Sequence, residues 1–543
     1  MSASTPPSRA ERVLAVLGES ADAEEHARAL TKLAQRRAQG YGPAELPVLA
    51  QILERLAPRL GPAYAEPLAA VLQPLQLLQG SAVDGAAARA LCDALGSVLG
   101  VVYQQAAEQA WAAAVAEGVL LAVAGSVDVA AVSVADTRLA SALAATLATP
   151  ALDRVAGVAL SVLEHVVQRE PGALAPLLLA DDALPLLLGR ADTAAVGEAT
   201  LVVHLALLLL EQAPEAELEL GVDQARQLLA SLGRCFTAHF NAAPELRNDI
   251  VLLLLQVEGV VGALFPDELV ATLLVALCAA DLRPPALRAR GFKLGTAHPD
   301  FELHKLLVLL VQRLAQRPEH REAVGGSHFL KLLFHYLTAS ARGWTAPQFE
   351  ELQLQALATL AQVAPLFARE LGTLRGATQL LKMLANVAAT PAASGDARNA
   401  LMRSSSSLGN SLFNTGNSFA TTDPAARAAR VHRPALSLCL SAVVALLDLP
   451  GAAQAQELAD QDLLSHLHTC LDKELPHALD RVETQVRTLA LMALERLCRL
   501  VPRQAELFGE EGLKVVLAYT RDVPAQPDPG YQHMLVAAVN ALW

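Results

Sequence analysis

Aromatic side chains are scarce, at 4% of 543 residues, and runs alternating Val, Ile or Thr with polar residues are nearly missing. Both shortages argue against a β-sheet protein, whose strands draw on those residue types. Positive charge is also short: 42 Lys and Arg against 55 Asp and Glu give a net charge of −13. An acidic chain is a poor general binder of nucleic acid or of anionic membranes. The six cysteines (Cys92, Cys235, Cys278, Cys439, Cys470 and Cys498) are scattered through apolar runs. They read as buried free thiols in a reducing compartment, not as a disulfide framework. The opening MSASTPPSRAERV lacks the apolar core of a secretory signal.

Long hydrophobic runs are missing too, although mean hydropathy is +0.34. The strongest candidates for a membrane span are residues 201–210, 251–264 and 118–127. The first carries His204, the second carries Glu258 and the third ends at Asp128, so none supplies the ~18 clean apolar residues a span needs. The expectation is a soluble cytoplasmic protein whose apolar helices bury one another.

Catalytic signatures are missing as well. There is no phosphate loop, no GxSxG elbow and no HExxH. His466, His468 and Cys470 come nearest to a metal cluster, but on a helix His468 faces away from the other two and no second ligand pair is near in sequence. The paired acids Asp181-Asp182 and Glu510-Glu511 stand beside expected helix starts, where they favour the helix dipole. No enzyme activity, cofactor, metal or small-molecule substrate is expected.

What the chain has is Leu, Ala and Val, within a hydrophobic content of 53%. Ala and Leu lose little on entering a helix. The clearest unit is residues 350–384, EELQLQALATLAQVAPLFARELGTLRGATQLLKML. Leu352, Ala356, Leu360 and Val363 recur at helical spacing, with Leu354, Leu357, Ala361 and Ala364 as a second stripe. A helix apolar on two sides is buried between neighbours. Pro365 stops it, because proline lacks the N–H and clashes with the preceding turn. A short segment at 366–371 follows, then turn geometry is expected at Gly372 and Gly376, then a run with Leu380, Leu381 and Leu384.

Long helix, proline, short helix, glycine, next helix is the armadillo pattern. Residues 483–501 with Pro502 repeat it: Ala493, Leu494 and Leu497 stand at the same offsets from Pro502 as Ala356, Leu357 and Leu360 from Pro365, and Gly509 matches Gly372. Similar units read at 155–167, 200–212, 248–264 and 304–316, whereas 84–148 is so Ala-rich that helix breaks are hard to place. One helix pair buries about half a dozen Leu-sized side chains at ~1.5–3 kcal/mol each, against roughly 1–2 kcal/mol of backbone entropy for each of about 40 residues. A single unit cannot stand alone, so stability must come from stacking.

The fold class expected is therefore all-α, an armadillo/HEAT-like α-solenoid superhelix. Repeats occupy 1–389 and resume over 431–543, and a Ser-, Gly- and Arg-rich irregular loop covers 390–430. Its Arg403–Ser407 string (RSSSS) has the form of a basophilic kinase site. The helical pattern at 531–543 reaches the last residue without a stop signal, as in a chain cut short.

Armadillo arrays often act through the groove lined by their third helices, where peptide-binding members carry an asparagine ladder. In register, the ladder positions here are His165, Arg313, Gln362 and Arg499, with no asparagine among them. These four, together with Arg403, Arg427, Arg430 and Arg433 of the locally basic loop region, are the candidate partner-contact residues.

Several strings between about residue 245 and residue 543 resemble cilia- and flagella-associated protein 69, an armadillo-type family of motile cilia. They are LRNDI (246–250), GFKL (291–294), DFELHKLL (300–307), Trp344, EELQLQALATLAQVAPL (350–366), GNSF (416–419), LFGEEGL (507–513), Gly530-Tyr531 and Trp543, in the family's order. After GNSF the family is rich in glycine and lysine, whereas this chain reads ATTDPAARAAR. The resemblance implies a non-enzymatic scaffold of the axoneme's central pair apparatus, in a projection of one central microtubule. It would support ciliary and flagellar motility and sperm flagellum assembly. It also implies other projection proteins as partners, and the acidic charge makes microtubule association indirect. The alternative is a soluble armadillo-type adaptor that binds protein segments in transport or degradation.

Overall fold

The computed structural model describes residues 8–35, 40–77, 84–105, 109–126, 137–147, 156–169, 183–191, 195–212, 220–281, 299–337, 346–374, 376–388, 424–471, 481–521 and 527–543. Among them no strand occurs, and the chain is an all-α armadillo solenoid. It forms two compact units, Met1–Pro266 and Asp267–Trp543.

The first unit holds α1 (Arg9–Glu19), α2 (Ala23–Ala34), α3 (Leu46–Leu56), α4 (Pro62–Leu72), α5 (Gly85–Gln105), α6 (Ala110–Ser126), α7 (Arg138–Leu147), α8 (Ala156–Arg169), α9 (Ala183–Ala191), α10 (Val196–Gln212), α11 (Val222–His239) and α12 (Pro244–Val261). Its described helices stack as two layers. Odd-numbered helices from α1 to α11 pack each on the next odd one, and even-numbered helices from α2 to α12 do the same. Each apolar stripe is thus covered by the neighbouring pair, as the energetics of a lone pair require. The Ala-rich stretch that obscured helix breaks resolves into α5, α6 and α7. Gly96 explains the closeness there: a Cβ on it would lie 2.4 Å from the Leu139 backbone nitrogen.

Gly85–Tyr103 within α5 is long and apolar enough to cross a membrane, and it lies in the Ala-rich span, apart from the three candidate runs expected from sequence. It packs between α3 and α7, with Leu95, Val98, Leu99 and Val102 at 0–1% exposure, which is the burial of a core helix.

The second unit holds α13 (Asp267–Asp281), α14 (Pro299–Gln316), α15 (Pro318–Gly326), α16 (Phe329–Tyr336), α17 (Ala346–Val363), α18 (Ala368–Leu374), α19 (Ala377–Ala388), α20 (Pro424–Leu447), α21 (Ala453–Asp460), α22 (Leu463–Cys470), α23 (Arg481–Leu500), α24 (Pro502–Arg521) and α25 (Pro529–Leu542). The rhythm is two short helices and a long one. The long helices α14, α17, α20, α23 and α25 form one continuous layer, each packed on the next.

Prolines do more than stop helices. Pro318 and Pro502 occupy the first position of the following helix, with a single residue separating them from the end of the preceding one. There the missing N–H has no intrahelical partner to lose, and the fixed φ suits the helix. Pro365 lies inside a single 3₁₀ turn, Ala364–Leu366, between α17 and α18.

The structure corrects three expectations. Leu354 and Ala361 are only half-buried, so the second stripe of α17 is carried by Leu357 and Ala364. Gly372 lies inside α18 instead of in a turn, whereas Gly509 takes φ +59° and kinks α24. The two glycines share an offset but not a conformation. Gly376 is needed for space, because a Cβ on it would come within 2.2 Å of the Phe334 ring. Finally, α20 begins at Pro424, inside the segment read as irregular, since Ala and Arg are good helix formers once proline has set the first turn. Residues 389–423 lie outside the described residues, as do Arg403, the RSSSS string, GNSF, Asp181-Asp182 and GFKL.

Candidate functional site

The strings DFELHKLL and EELQLQALATL come together. They occupy the packed long helices α14 and α17, and their polar residues form one seam. Lys305 Nζ lies 2.8 Å from Glu351 Oε1 and 3.3 Å from Glu302 Oε2, and it stands 5.2 Å from the Phe301 ring centroid. Gln355 Nε2 donates to the Lys305 carbonyl at 2.7 Å. Further along, Thr359 Oγ donates to Gln312 Oε1 at 2.8 Å, and Gln312 Nε2 donates to Gln362 Oε1 at 2.6 Å. Gln316 Nε2 reaches the same oxygen at 3.3 Å.

Beneath the seam, Leu303, Leu307, Leu310, Leu352, Ala356 and Leu360 are buried. Apolar burial holds the two helices together, and the seam fixes their register, because sliding one helix along the other would break several of these cross-helix contacts at once. His304 extends the tie to α16, its Nδ1 lying 2.9 Å from the Tyr336 hydroxyl.

The sequence reading picked out Gln362 from this seam and missed Lys305, Gln312, Gln316, Glu351, Gln355 and Thr359. The signal was present: residues 351, 355, 359 and 362 make a polar stripe at helical spacing along the helix. Of the four ladder positions, Gln362 is exposed at the end of α17, and Arg313 is half-buried on α14 beside the seam glutamines. Arg499 is exposed on α23 and pairs with Glu495 of its own helix at 3.0 Å. His165 is half-buried on α8 in the first unit, so it is not part of this seam. Arg427, Arg430 and Arg433 fall within α20.

LRNDI forms the first turns of α12, with Leu246 and Ile250 buried. Arg247 is buried at 4% exposure, sits over the Phe240 ring at 5.1 Å and donates to the Phe240 carbonyl at 3.3 Å, which closes the corner between α11 and α12. Burial pushes the Asp249 carboxyl above its ordinary value; His204 opposes that shift and Glu245 adds to it. His204 Nδ1 in turn lies 2.5 Å from Glu164 Oε1. Acid, histidine and acid therefore stand on the successive packed helices α8, α10 and α12.

Among the described residues, no group of three or more His, Cys, Asp or Glu is placed to hold a metal ion. The HLHTC string lies on α22, where the His468 ring meets Phe508 edge-on at 6.4 Å. All six cysteines are free thiols, with Cys92, Cys235 and Cys439 buried. Burial raises the Cys439 thiol far above its ordinary value, and burial with Glu495 nearby pushes Cys498 up to about 11. High thiol pKa values leave little thiolate, the opposite of what a nucleophile needs.

The family model described as cilia- and flagella-associated protein 69, ARM repeat, matches residues 221–543, which include the whole seam and the LRNDI corner. The chain belongs to this family. Cilia- and flagella-associated protein 69 of Callithrix jacchus is 26% identical over 307 residues, 55% of this chain and 30% of the relative. The Homo sapiens protein of the same name is 25% identical over 309 residues, again 55% and 30%. The chain thus spans about a third of the length of the curated relatives it matches. Among solved structures, the crystal structure of SYS-1 overlaps 98% of the chain at 11% identity and a TM-score of 0.40, too loose an overlap to carry functional meaning. The resemblance carried by DFELHKLL and EELQLQALATL is thus upheld, and in this chain those strings form the contact between two neighbouring repeats.

Proposed function

We propose that this protein is a non-enzymatic structural component of the axoneme in motile cilia and flagella. It acts as a scaffold in a projection of the central pair apparatus and supports ciliary beating and sperm flagellum assembly. The observation that carries the reading is the family match over 221–543, which covers the α14–α17 seam. A solenoid whose repeats are pinned in register by a largely shielded ion pair and side-chain amide hydrogen bonds resists shear between repeats, which suits a scaffold under cyclic load. Its charge of −13 disfavours broad contact with an acidic filament surface, so other projection proteins are its partners and microtubule association is indirect. His165, Arg313, Gln362, Arg499 and the arginines 403, 427, 430 and 433 are the contact residues we assign to those partners. A tagged copy expressed in a motile ciliated cell tests the reading. It should remain with the axoneme after detergent extraction, and full release into the detergent-soluble fraction refutes it.

A further inference from the structure

The first two helices enclose a cleft that neither the family match nor the proposed scaffold role touches, since it lies well before residue 221. It has a volume of about 540 Å³, within the range of small binding clefts. Arg9 and Arg12 line one wall on α1, and Arg28 and Lys32 line the other on α2. Val13 and Leu33 are buried at its floor, and Glu25 is the one acid in the lining.

Four cations in one cleft stand out on a chain with a net charge of −13. Two of the nearby acids are engaged elsewhere, and a third reaches one of the cleft cations only at long range. Glu11 closes the capping box with Ser8, Asp22 caps α2 through the Glu24 N–H, and Glu24 pairs loosely with Arg28 at 3.8 Å. Arg9, Arg12 and Lys32 form no ion pair among the described residues. The spacings, three on α1 and four on α2, set the cations as two rows along the walls. Two rows over an apolar floor fit a chain lying between them, not a point-like anion, on which cations would converge.

We propose that the α1–α2 cleft binds an acidic peptide segment whose carboxylates meet the two rows of cations and whose apolar side chains rest on Val16 and Ala29, the part-exposed apolar residues of the lining. Nucleic acid fits less well. Single-stranded binders present aromatic rings for the bases to stack on, and the cleft lining has no aromatic residue. The overall negative charge of the protein also repels a long polyanion but leaves a short segment accessible.

The test is fluorescence anisotropy of the full chain with a labelled peptide alternating Glu with Leu. Micromolar or tighter binding that weakens with added salt is expected, and replacing every Glu of the peptide by Gln should abolish it. The double variants Arg9→Glu/Arg12→Glu and Arg28→Glu/Lys32→Glu should each weaken binding at least tenfold. Arg9→Lys/Arg12→Lys should retain it, and the exposed pair Arg226→Glu/Arg503→Glu, with the same change in net charge, should leave it within twofold. Three results each overturn the proposal: no binding of the acidic peptide, equal weakening by the Arg226/Arg503 control, or an oligonucleotide that binds as tightly and competes. Circular dichroism of each variant separates loss of the cleft from loss of fold.

Discussion

Replacing Lys305 by Met removes the charge at the centre of the α14–α17 seam and keeps the length of the side chain. The Lys305 side chain is 11% exposed and Glu351 is 18% exposed, at 2.8 Å. Lys514 and Glu511 also lie 2.8 Å apart, but at 62% and 76% exposure. Distance is therefore held constant, while the seam pair is far less exposed, joins two helices and shares Lys305 with Glu302. Breaking a buried pair costs roughly 3–5 kcal/mol and an exposed pair is worth roughly 0.2–1 kcal/mol. The seam pair is not fully buried, and Glu302, 47% exposed, can turn to water once Lys305 is gone. The stranded Glu351 then dominates, and ~1–2 kcal/mol is the expected loss for Lys305→Met, against no more than about 0.5 kcal/mol for Lys514→Met.

A stacked-repeat chain does not unfold as one two-state unit, so the readout must be local. Amide hydrogen exchange is suited to it. Lys305→Met should speed exchange in 299–316 and 346–363 by about 5–30-fold, while Lys514→Met changes its own helix by about twofold or less. Glu351→Gln should fall below Lys305→Met, because Lys305 retains Glu302. Equal effects of the two Lys variants would refute the argument that burial makes the seam a fastening.

Other expectations concern glycine, charge and thiol chemistry. Gly96→Ala should destabilise by ~1–3 kcal/mol, since its Cβ would meet the α7 backbone, while Gly100→Ala in the same helix, whose Cβ meets only Tyr103 at 4.0 Å, should stabilise by about 0.5–1 kcal/mol; thermal melts with opposite signs check both. Burial raises the Asp249 carboxyl, so the fold favours its protonated form; that contribution is present below the ordinary carboxylate range and lost as pH rises through the raised value. Asp249→Asn should therefore raise Tm at pH 7 and leave it nearly unchanged at low pH. With its thiol pushed up from 9.0 to about 11, Cys498 should alkylate at pH 8 about 100-fold more slowly than an ordinary cysteine, and Cys439 should stay unlabelled in the native chain; mass spectrometry after timed labelling reads both.

Much of the fold was legible because leucine periodicity and proline punctuation are local. Leu352, Ala356, Leu360 and Val363 mark the buried face of α17 without knowledge of any other helix. The Ala-rich span resisted because alanine packs on any face, and its decisive feature, the contact of Gly96 with Leu139, is between residues 43 apart that no local period reveals. The offset match of Gly372 and Gly509 misled for a related reason: position within a repeat does not dictate φ. At the candidate site, Gln362 was found by register. Its partners Gln312 and Gln316 needed the α14–α17 pairing, because a glutamine on a helix surface reads as solvated until the opposing helix is placed. The α1–α2 cleft was hidden by averaging, since its four cations are diluted by nearby acids that have structural roles of their own.

The central claim is that this repeat array is a fixed scaffold of the axoneme. Crosslinking mass spectrometry on isolated, detergent-extracted axonemes tests it most directly. The account predicts that Lys305 and its neighbours in α14 and α17 crosslink only within the chain, while other exposed lysines link to a small, constant set of central pair projection proteins. Recovery of the chain only from the soluble fraction, or crosslinks to varied cytosolic cargo with none to axonemal proteins, would contradict it.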